Sequence, residues 1–144
     1  MTRAIITGVA GFIGSHLSEE LLRRGHKVIG IDNFDPWYDP DSKQRNLSQS
    51  LDNASFELIK SDIRTFDFSS LLQSNDTVFH LAARPGVRDS WGNGFLDNVE
   101  NNIYGTQRIF EAALLANVKK VAFASSSSIY GSTATKEGRK IQPI

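Results

Sequence analysis

Short apolar runs alternate with amphipathic stretches along nearly the whole chain. Arg3 to Thr7 and Lys27 to Ile31 are β-branched runs that predict two strands. Phe56-Glu57-Leu58-Ile59-Lys60 alternates with period two and predicts a third. Thr77 to Leu81 reads as a buried fourth strand and Val121 to Ala124 as a fifth. After the first strand, Phe12, Ile13, Leu17, Leu21 and Leu22 recur at helical spacing, and Gly25 stands as the stop. A longer helical stretch from Val99 to Ala116 sets Ile103, Ile109, Phe110 and Leu114 on one face. In the loop after the second strand, Pro36 and Pro40 forbid a regular helix start before Asp41. Residues 132–144 are polar and read as loop. Strands alternating with helices imply an α/β fold with a parallel sheet covered on both faces. Right-handed crossovers favour a doubly wound sheet of order 3-2-1-4-5.

Composition narrows the class of protein without naming it. At 144 residues the chain suits one domain with a true core. Lysine plus arginine equal aspartate plus glutamate at 16 each, so no overall positive field draws in nucleic acid. The absence of cysteine excludes disulfide and thiol chemistry and fits a reducing compartment. The sequence carries neither a basic-then-apolar leader nor an apolar run of membrane length. A cytoplasmic domain with no nucleic-acid or membrane partner is the expectation. No histidines fall at ligand-like spacing, so no metal site is expected, and His80 reads as a packed residue.

The chemistry concentrates where the first strand hands over to the first helix. Gly8, Gly11 and Gly14 are spaced three apart there, which differs from the two-then-three spacing of the common dinucleotide fingerprint. Glycines permit a tight turn and a close approach to phosphate, and the helix N-terminus offers unpaired N–H groups. The second strand ends on Asp32, placed to accept hydrogen bonds from an adenosine ribose. An acid at that point favours the free 2′-hydroxyl of NAD and repels the 2′-phosphate of NADP, with Arg45 as a nearby basic residue that would shift the balance. The competing reading leaves the glycines to strand–helix packing and Asp32 to capping a loop. The other expected strand ends fall at Asp62, at Ala82-Ala83 and at the serine run, so the candidate residues converge on one edge of the sheet. Trp37 and Tyr38 lie in the loop beside the adenosine position, either covering a cofactor or anchoring a surface loop.

Four blocks in order carry a family resemblance across nearly the whole chain. Thr7-Gly8-Val9-Ala10-Gly11-Phe12-Ile13-Gly14 resembles the phosphate loop of extended short-chain dehydrogenase/reductases of the NAD-dependent epimerase/dehydratase family. The stretch from His80 to Ser90, HLAARPGVRDS, is similar to the corresponding segment of UDP-glucuronate 4-epimerases. Asn102-Ile103-Tyr104-Gly105-Thr106 and Ser125-Ser126-Ser127-Ser128-Ile129-Tyr130-Gly131 resemble its two later motifs. The resemblance implies a Rossmann-like fold and an NAD site held by the glycines with Phe12, Ile13, Asp32, Asn33, Asp62, Ile63, Leu81, Ala82, Ala83 and Asn102. Asp62 would accept from the adenine amine, the alternative being a capping Asp62 with Ile63 in the core. Ser126 is the implied catalytic hydroxyl at the sugar 4-hydroxyl, with Ser127 and Ser128 facing the same pocket. Their alternative is a polar strand exit whose hydroxyls satisfy loop backbone. Arg88 is the implied contact to a sugar-nucleotide phosphate or an anionic sugar, weighed against a solvated arginine.

The family's tyrosine–lysine pair is absent from these residues. Tyr38, Tyr104 and Tyr130 are followed four places on by Ser42, Arg108 and Ala134. The chain therefore resembles the N-terminal half of an enzyme, with residues 1–144 as the partial NAD-binding domain. The implied activity is inversion at C4 of a UDP-sugar, with a homodimer as the full-length form. The alternatives are a dehydratase or decarboxylase of the same family and a non-catalytic dinucleotide-binding module. A sheet ending at its fifth strand is expected to show an open edge and an apolar face.

Overall fold

The computed structural model describes residues 3–37, 39–86, 90–126 and 129. β1 (Arg3–Thr7) leads through the glycine loop into α1 (Phe12–Arg23). β2 (Lys27–Asp32), α2 (Pro40–Leu51) and β3 (Phe56–Lys60) follow. β4 (Thr77–His80) is joined to β5 (Lys120–Phe123) by α3 (Phe95–Asn98), a π-helical stretch Val99–Tyr104 and α4 (Gly105–Leu115). All strand pairs are parallel, in the order β3-β2-β1-β4-β5. The expected doubly wound sheet is the one observed.

Local chemistry explains the helix limits. α1 ends in a Schellman turn, with Gly25 N–H donating to Leu22 O and His26 N–H to Leu21 O. Gly25 takes φ +78°, the left-handed conformation that the turn needs. α2 begins at Pro40, one residue earlier than the prolines suggest. Pro40 stands in the first turn, where its missing N–H costs nothing, and the Asp39 carboxylate caps the N–H groups of Asp41 and Ser42.

Two apolar layers hold the sheet between helices. Ile5, Ile29, Ile31, Val78, Ile109 and Ala113 pack on the α4 side, with Ile63, Phe68 and Leu72. Ala4, Ile6, Val9, Val28, Leu22 and Leu47 pack on the α1–α2 side. The alternation within β1 sends Ile5 to one layer and Ala4 and Ile6 to the other. Each fully buried isoleucine contributes roughly 1.5–3 kcal/mol of transfer free energy, and Ile5, Ile6, Ile29 and Ile31 place four of them on β1 and β2.

The long helical stretch departs from its sequence pattern. Of Ile103, Ile109, Phe110 and Leu114, Ile109 alone is buried, while Ile103 and Leu114 are 64% and 79% exposed. The π-helical turn offsets residues before Gly105 from the face that α4 presents to the sheet. On the outer side, β5 pairs with β4 along one edge, and Leu114, Leu115, Val121 and Phe123 are exposed. Among the described residues β5 pairs with β4 alone.

Candidate functional site

A cleft of about 360 Å³ opens at the carboxyl ends of β1, β2 and β4. The glycine loop forms its floor. Gly8 takes φ +72°, and a Cβ there would sit 2.7 Å from Ala82 N, so the β1 exit packs directly on the β4 exit. A Cβ on Gly14 would lie 2.2 Å from Gly8 O, which lets α1 start hard against the turn. Gly11 is different, since its Cβ would meet Gly8 O alone, at 3.3 Å. Two of the three glycines thus serve chain packing, and Gly11 faces the open cleft. Gly11 is the N-cap of α1, no side chain caps the helix, and its first turn carries no acid. The N–H groups of that turn point outward with the positive end of the helix dipole, a setting suited to phosphate. Phe12 and Ile13, read from sequence as part of the helix's apolar face, line the cleft and are 76% and 64% exposed.

Asp32 stands at the end of β2 with its carboxylate turned back on the loop. Oδ2 accepts from Ala10 N–H at 3.1 Å, and Oδ1 accepts from Phe34 N–H at 2.8 Å and from Lys43 Nζ at 3.1 Å. Asn46 of α2 donates to Ala10 O at 3.0 Å, so α2 braces the glycine loop from a second point. Asn33 lines the cleft beside Asp32. Arg45, the basic residue singled out from sequence, points elsewhere. It is exposed and bonds Ser42 Oγ and Asp39, while Lys43 occupies the position beside Asp32.

The opposite wall is built from β4 and the π-helical stretch. Leu81, Ala82 and Ala83 line the cleft. Asn102 does not line it; its side chain holds the wall instead. Its Oδ1 accepts from Arg84 N–H at 2.7 Å and its Nδ2 donates to Arg84 O at 2.9 Å. Behind this wall His80 is buried between two hydroxyls, with Nδ1 2.7 Å from Thr7 Oγ1 and Nε2 2.9 Å from Thr106 Oγ1. Thr106 spends its only hydroxyl proton on Asn102 O at 2.7 Å, so it accepts from His80 Nε2–H. Nδ1 is then the acceptor, and Thr7 donates to it. Burial pushes the imidazole down to about 4, which keeps this neutral tautomer in place. His80 is a packed residue that joins β1, β4 and α4.

Asp62 is placed away from the cleft surface, with four donors on its carboxylate. Oδ1 takes Arg64 N–H (2.8 Å) and Nε (2.9 Å), while Oδ2 takes Arg64 Nη2 (2.8 Å) and Asn33 Nδ2 (3.0 Å). Hydrogen bonding from Arg64 holds its carboxyl down at about 2. Ile63 is buried yet reaches the cleft floor. Ser126 is exposed beyond β5, two residues past the cleft-lining Ala124. Arg88, Ser127, Ser128 and Tyr38 lie outside the described residues.

Sequence reasoning passed over Lys43, Asp35, Arg84, Pro85 and Asn101, all of which line the cleft. Lys43 had a legible signal. It falls in register with Leu47 and Ser50, the buried stripe of α2, where an unpaired ammonium would not be tolerated. Trp37 lines the cleft and is 42% exposed. Among the described residues no group of three or more His, Cys, Asp or Glu side chains gathers as a metal site. No helix among them is long and apolar enough to cross a membrane.

A doubly wound parallel sheet with a glycine turn and an acid at the ends of its first two strands defines a Rossmann-like domain. The chain belongs to the NAD dependent epimerase/dehydratase family, whose profile matches residues 4–143. It is 44% identical over 99% of its length to the uncharacterized UDP-glucose epimerase YtcB of Bacillus subtilis, covering 46% of that protein. A UDP-N-acetyl-alpha-D-glucosaminuronate decarboxylase of Bacillus cytotoxicus is 41% identical over 90% of the chain and 38% of the relative. The fold superposes on a UDP-glucuronic acid 4-epimerase from Bacillus cereus, solved with UDP-glucuronic acid and NAD, with a TM-score of 0.87. That match has 41% identity and covers 99% of this chain and 46% of the other. The chain thus spans under half the length of the relatives it matches.

Proposed function

We propose that this chain is the cofactor-holding half of an NAD-dependent UDP-sugar 4-epimerase, nearest in type to UDP-glucuronate 4-epimerases. The observation that carries the reading is the cleft itself. An uncapped helix N-terminus and an acid at the end of β2 line the same cleft, the two features a dinucleotide site combines. The solved relative with NAD and UDP-glucuronic acid supports the same assignment.

The residues divide the work as follows. Gly11 with the N–H groups of Phe12 and Ile13 holds the pyrophosphate at the start of α1. Asp32 and Asn33 take the adenosine ribose, with Lys43 fixing the Asp32 carboxylate. Ile63 borders the adenine end, and Asp62 stands behind it, holding Asn33. Leu81, Ala82 and Ala83 form an apolar wall toward the nicotinamide, held at its outer end by Asn102 through Arg84. The chemistry that NAD supplies when bound is reversible acceptance of a hydride from the sugar C4. Ser126 holds the sugar 4-hydroxyl, while the family resemblance assigns Ser127, Ser128 and Arg88 to the sugar nucleotide. These 144 residues contain no Tyr-x-x-x-Lys, so they hold the cofactor without the family's base. The longer form of such an enzyme is read as a cytoplasmic homodimer.

The test is an assay of a form that includes Tyr-x-x-x-Lys, with UDP-glucuronate and UDP-glucose as substrates and the 4-epimer as product. Formation of the 4-epimer with NAD recovered on the protein is the expected result. A UDP-sugar decarboxylase is the second reading, favoured by the Bacillus cytotoxicus relative. Release of carbon dioxide from UDP-glucuronate in place of epimer would select it. Turnover of neither substrate, with no retained NAD, would leave both readings without support.

A further inference from the structure

The two walls of the cleft are tied together by one guanidinium. Arg84, on the β4 side, reaches Asp35 of the loop after β2 at 3.3 and 3.4 Å and Asp97 of α3 at 2.5 Å. Its guanidinium also lies over the Trp37 ring, 4.8 Å from the centroid. Trp37 N–H donates to Asp35 Oδ1 at 2.9 Å, so the two residues that receive the guanidinium form one small turn. Arg84 is itself held on both sides of its backbone by the Asn102 amide, and its side chain is 17% exposed. Asp35, Trp37 and Arg84 all line the cleft. The Arg84 charge is already answered by two carboxylates, so it is not a cation held ready for phosphate.

We propose that Arg84, with Asp35, Trp37 and Asp97, is a latch across the cleft that slows both entry and escape of the dinucleotide. The proposal rests on the reading of the cleft as a dinucleotide site. A dinucleotide spanning from the glycine loop to Asp32 lies between the walls that this bridge joins. A residue that bound the cofactor directly would slow escape alone. A bridge that closes both before and after binding must open for passage in either direction, so it slows both rates and leaves the equilibrium nearly unchanged. The strength of the bridge is right for a gate. One part-exposed ion pair, to Asp35, and one cation–π contact, to Trp37, cross the cleft, while the pair with Asp97 anchors the guanidinium on its own side. Such contacts are weak enough to open on binding timescales and together strong enough to shift rates by about tenfold.

The experiment is stopped-flow binding of NADH to this chain, with association and dissociation rate constants measured separately for wild type, Arg84→Met and Asp97→Asn. Arg84→Met is expected to raise both constants about tenfold while the Kd stays within about threefold. Asp97→Asn alters an exposed carboxylate, so its fold is secure, and it should raise both by about threefold. It carries the test alone if Arg84→Met fails to fold by circular dichroism. A rise in dissociation alone would overturn the latch and make Arg84 a direct cofactor contact. Unchanged rates in both variants would overturn it as an inert bridge. Absence of NADH binding to the wild-type chain would instead defeat the dinucleotide reading, and the latch with it.

Discussion

Lys43 Nζ lies 3.1 Å from Asp32 Oδ1, and the two side chains are only 11% and 5% exposed. This ion pair is buried beside the cleft and also accepts two backbone N–H groups on the carboxylate. Removing one partner of a buried pair strands the other charge, at a cost of about 3–5 kcal/mol. Lys43→Met is therefore expected to lower stability by about 3 kcal/mol in urea unfolding. Asp32→Asn keeps the shape but removes the charge that repels a 2′-phosphate. Its expected effect is a loss of about tenfold in the preference for NAD over NADP by calorimetric titration. An unchanged ratio would remove Asp32 from the role of reading the ribose.

The glycine loop separates folding from binding. Gly14→Ala puts a methyl 2.2 Å from Gly8 O, which is backbone and cannot rotate away, so a loss above about 3 kcal/mol is expected. Gly11→Ala meets one atom at 3.3 Å and should change stability by less than about 1 kcal/mol. It places that methyl where the pyrophosphate approaches, so NADH affinity should fall by at least about tenfold. Thermal melts and NADH titrations of both variants check the split. Equal effects of the two changes on affinity per folded protein would contradict it.

These two positions also show what the sequence carried and what it hid. Strand order and the cleft location follow from alternating periods and right-handed crossovers, and both were legible. The glycine spacing marked the loop, but spacing cannot distinguish a glycine required by a neighbouring carbonyl from one facing a ligand. That depends on the approach of Ala82 and Gly8 O, which are set by tertiary packing. Lys43 was hidden because a lysine on a helix usually reads as solvated, and only its register with Leu47 betrays it. Arg84 was illegible, since its partners Asp35 and Asp97 lie 49 and 13 residues away along the chain. The π-helical offset at Val99–Tyr104 has no marker in the apolar pattern, which is why Ile103 was assigned to the wrong face.

His80 gives the protein an acid-side weakness. Its folded value near 4 lies below the ordinary 6.5 because burial disfavours the charged ring. Between those values the unfolded chain binds a proton that the native state refuses, so stability falls as pH falls from 6.5 toward 4. The full loss is about 3 kcal/mol. Asp62, held near 2, adds a further loss as pH drops from its ordinary 3.8 toward that value, since its native carboxylate must then be protonated. His80→Gln removes the titrating group and is expected to flatten the stability profile between pH 4.5 and 6.5. Parallel profiles for the variant and wild type in urea unfolding would rule out His80 as the source.

Gly105 and Ile63 couple α4 to the cleft floor. A Cβ on Gly105 would sit 2.6 Å from Ile63 Cδ1, and Ile63 borders both the core and the cleft. Alanine in the helix gains about 1 kcal/mol of intrinsic propensity over glycine. That gain is offset by overpacking, which costs about 1–3 kcal/mol when a side chain must move. Ile63 lines the cleft, so a shift of its end in that direction would carry the strain into the ligand site. Gly105→Ala is expected to change stability by no more than about 1 kcal/mol and to weaken NADH binding about fivefold. Adding Ile63→Val removes the Cδ1 methyl that meets the new Cβ, so the double variant should recover most of the lost affinity. The four-protein cycle, read by NADH titration, measures that coupling directly. Additive losses in the double variant would mean that Ile63 does not transmit the change at Gly105.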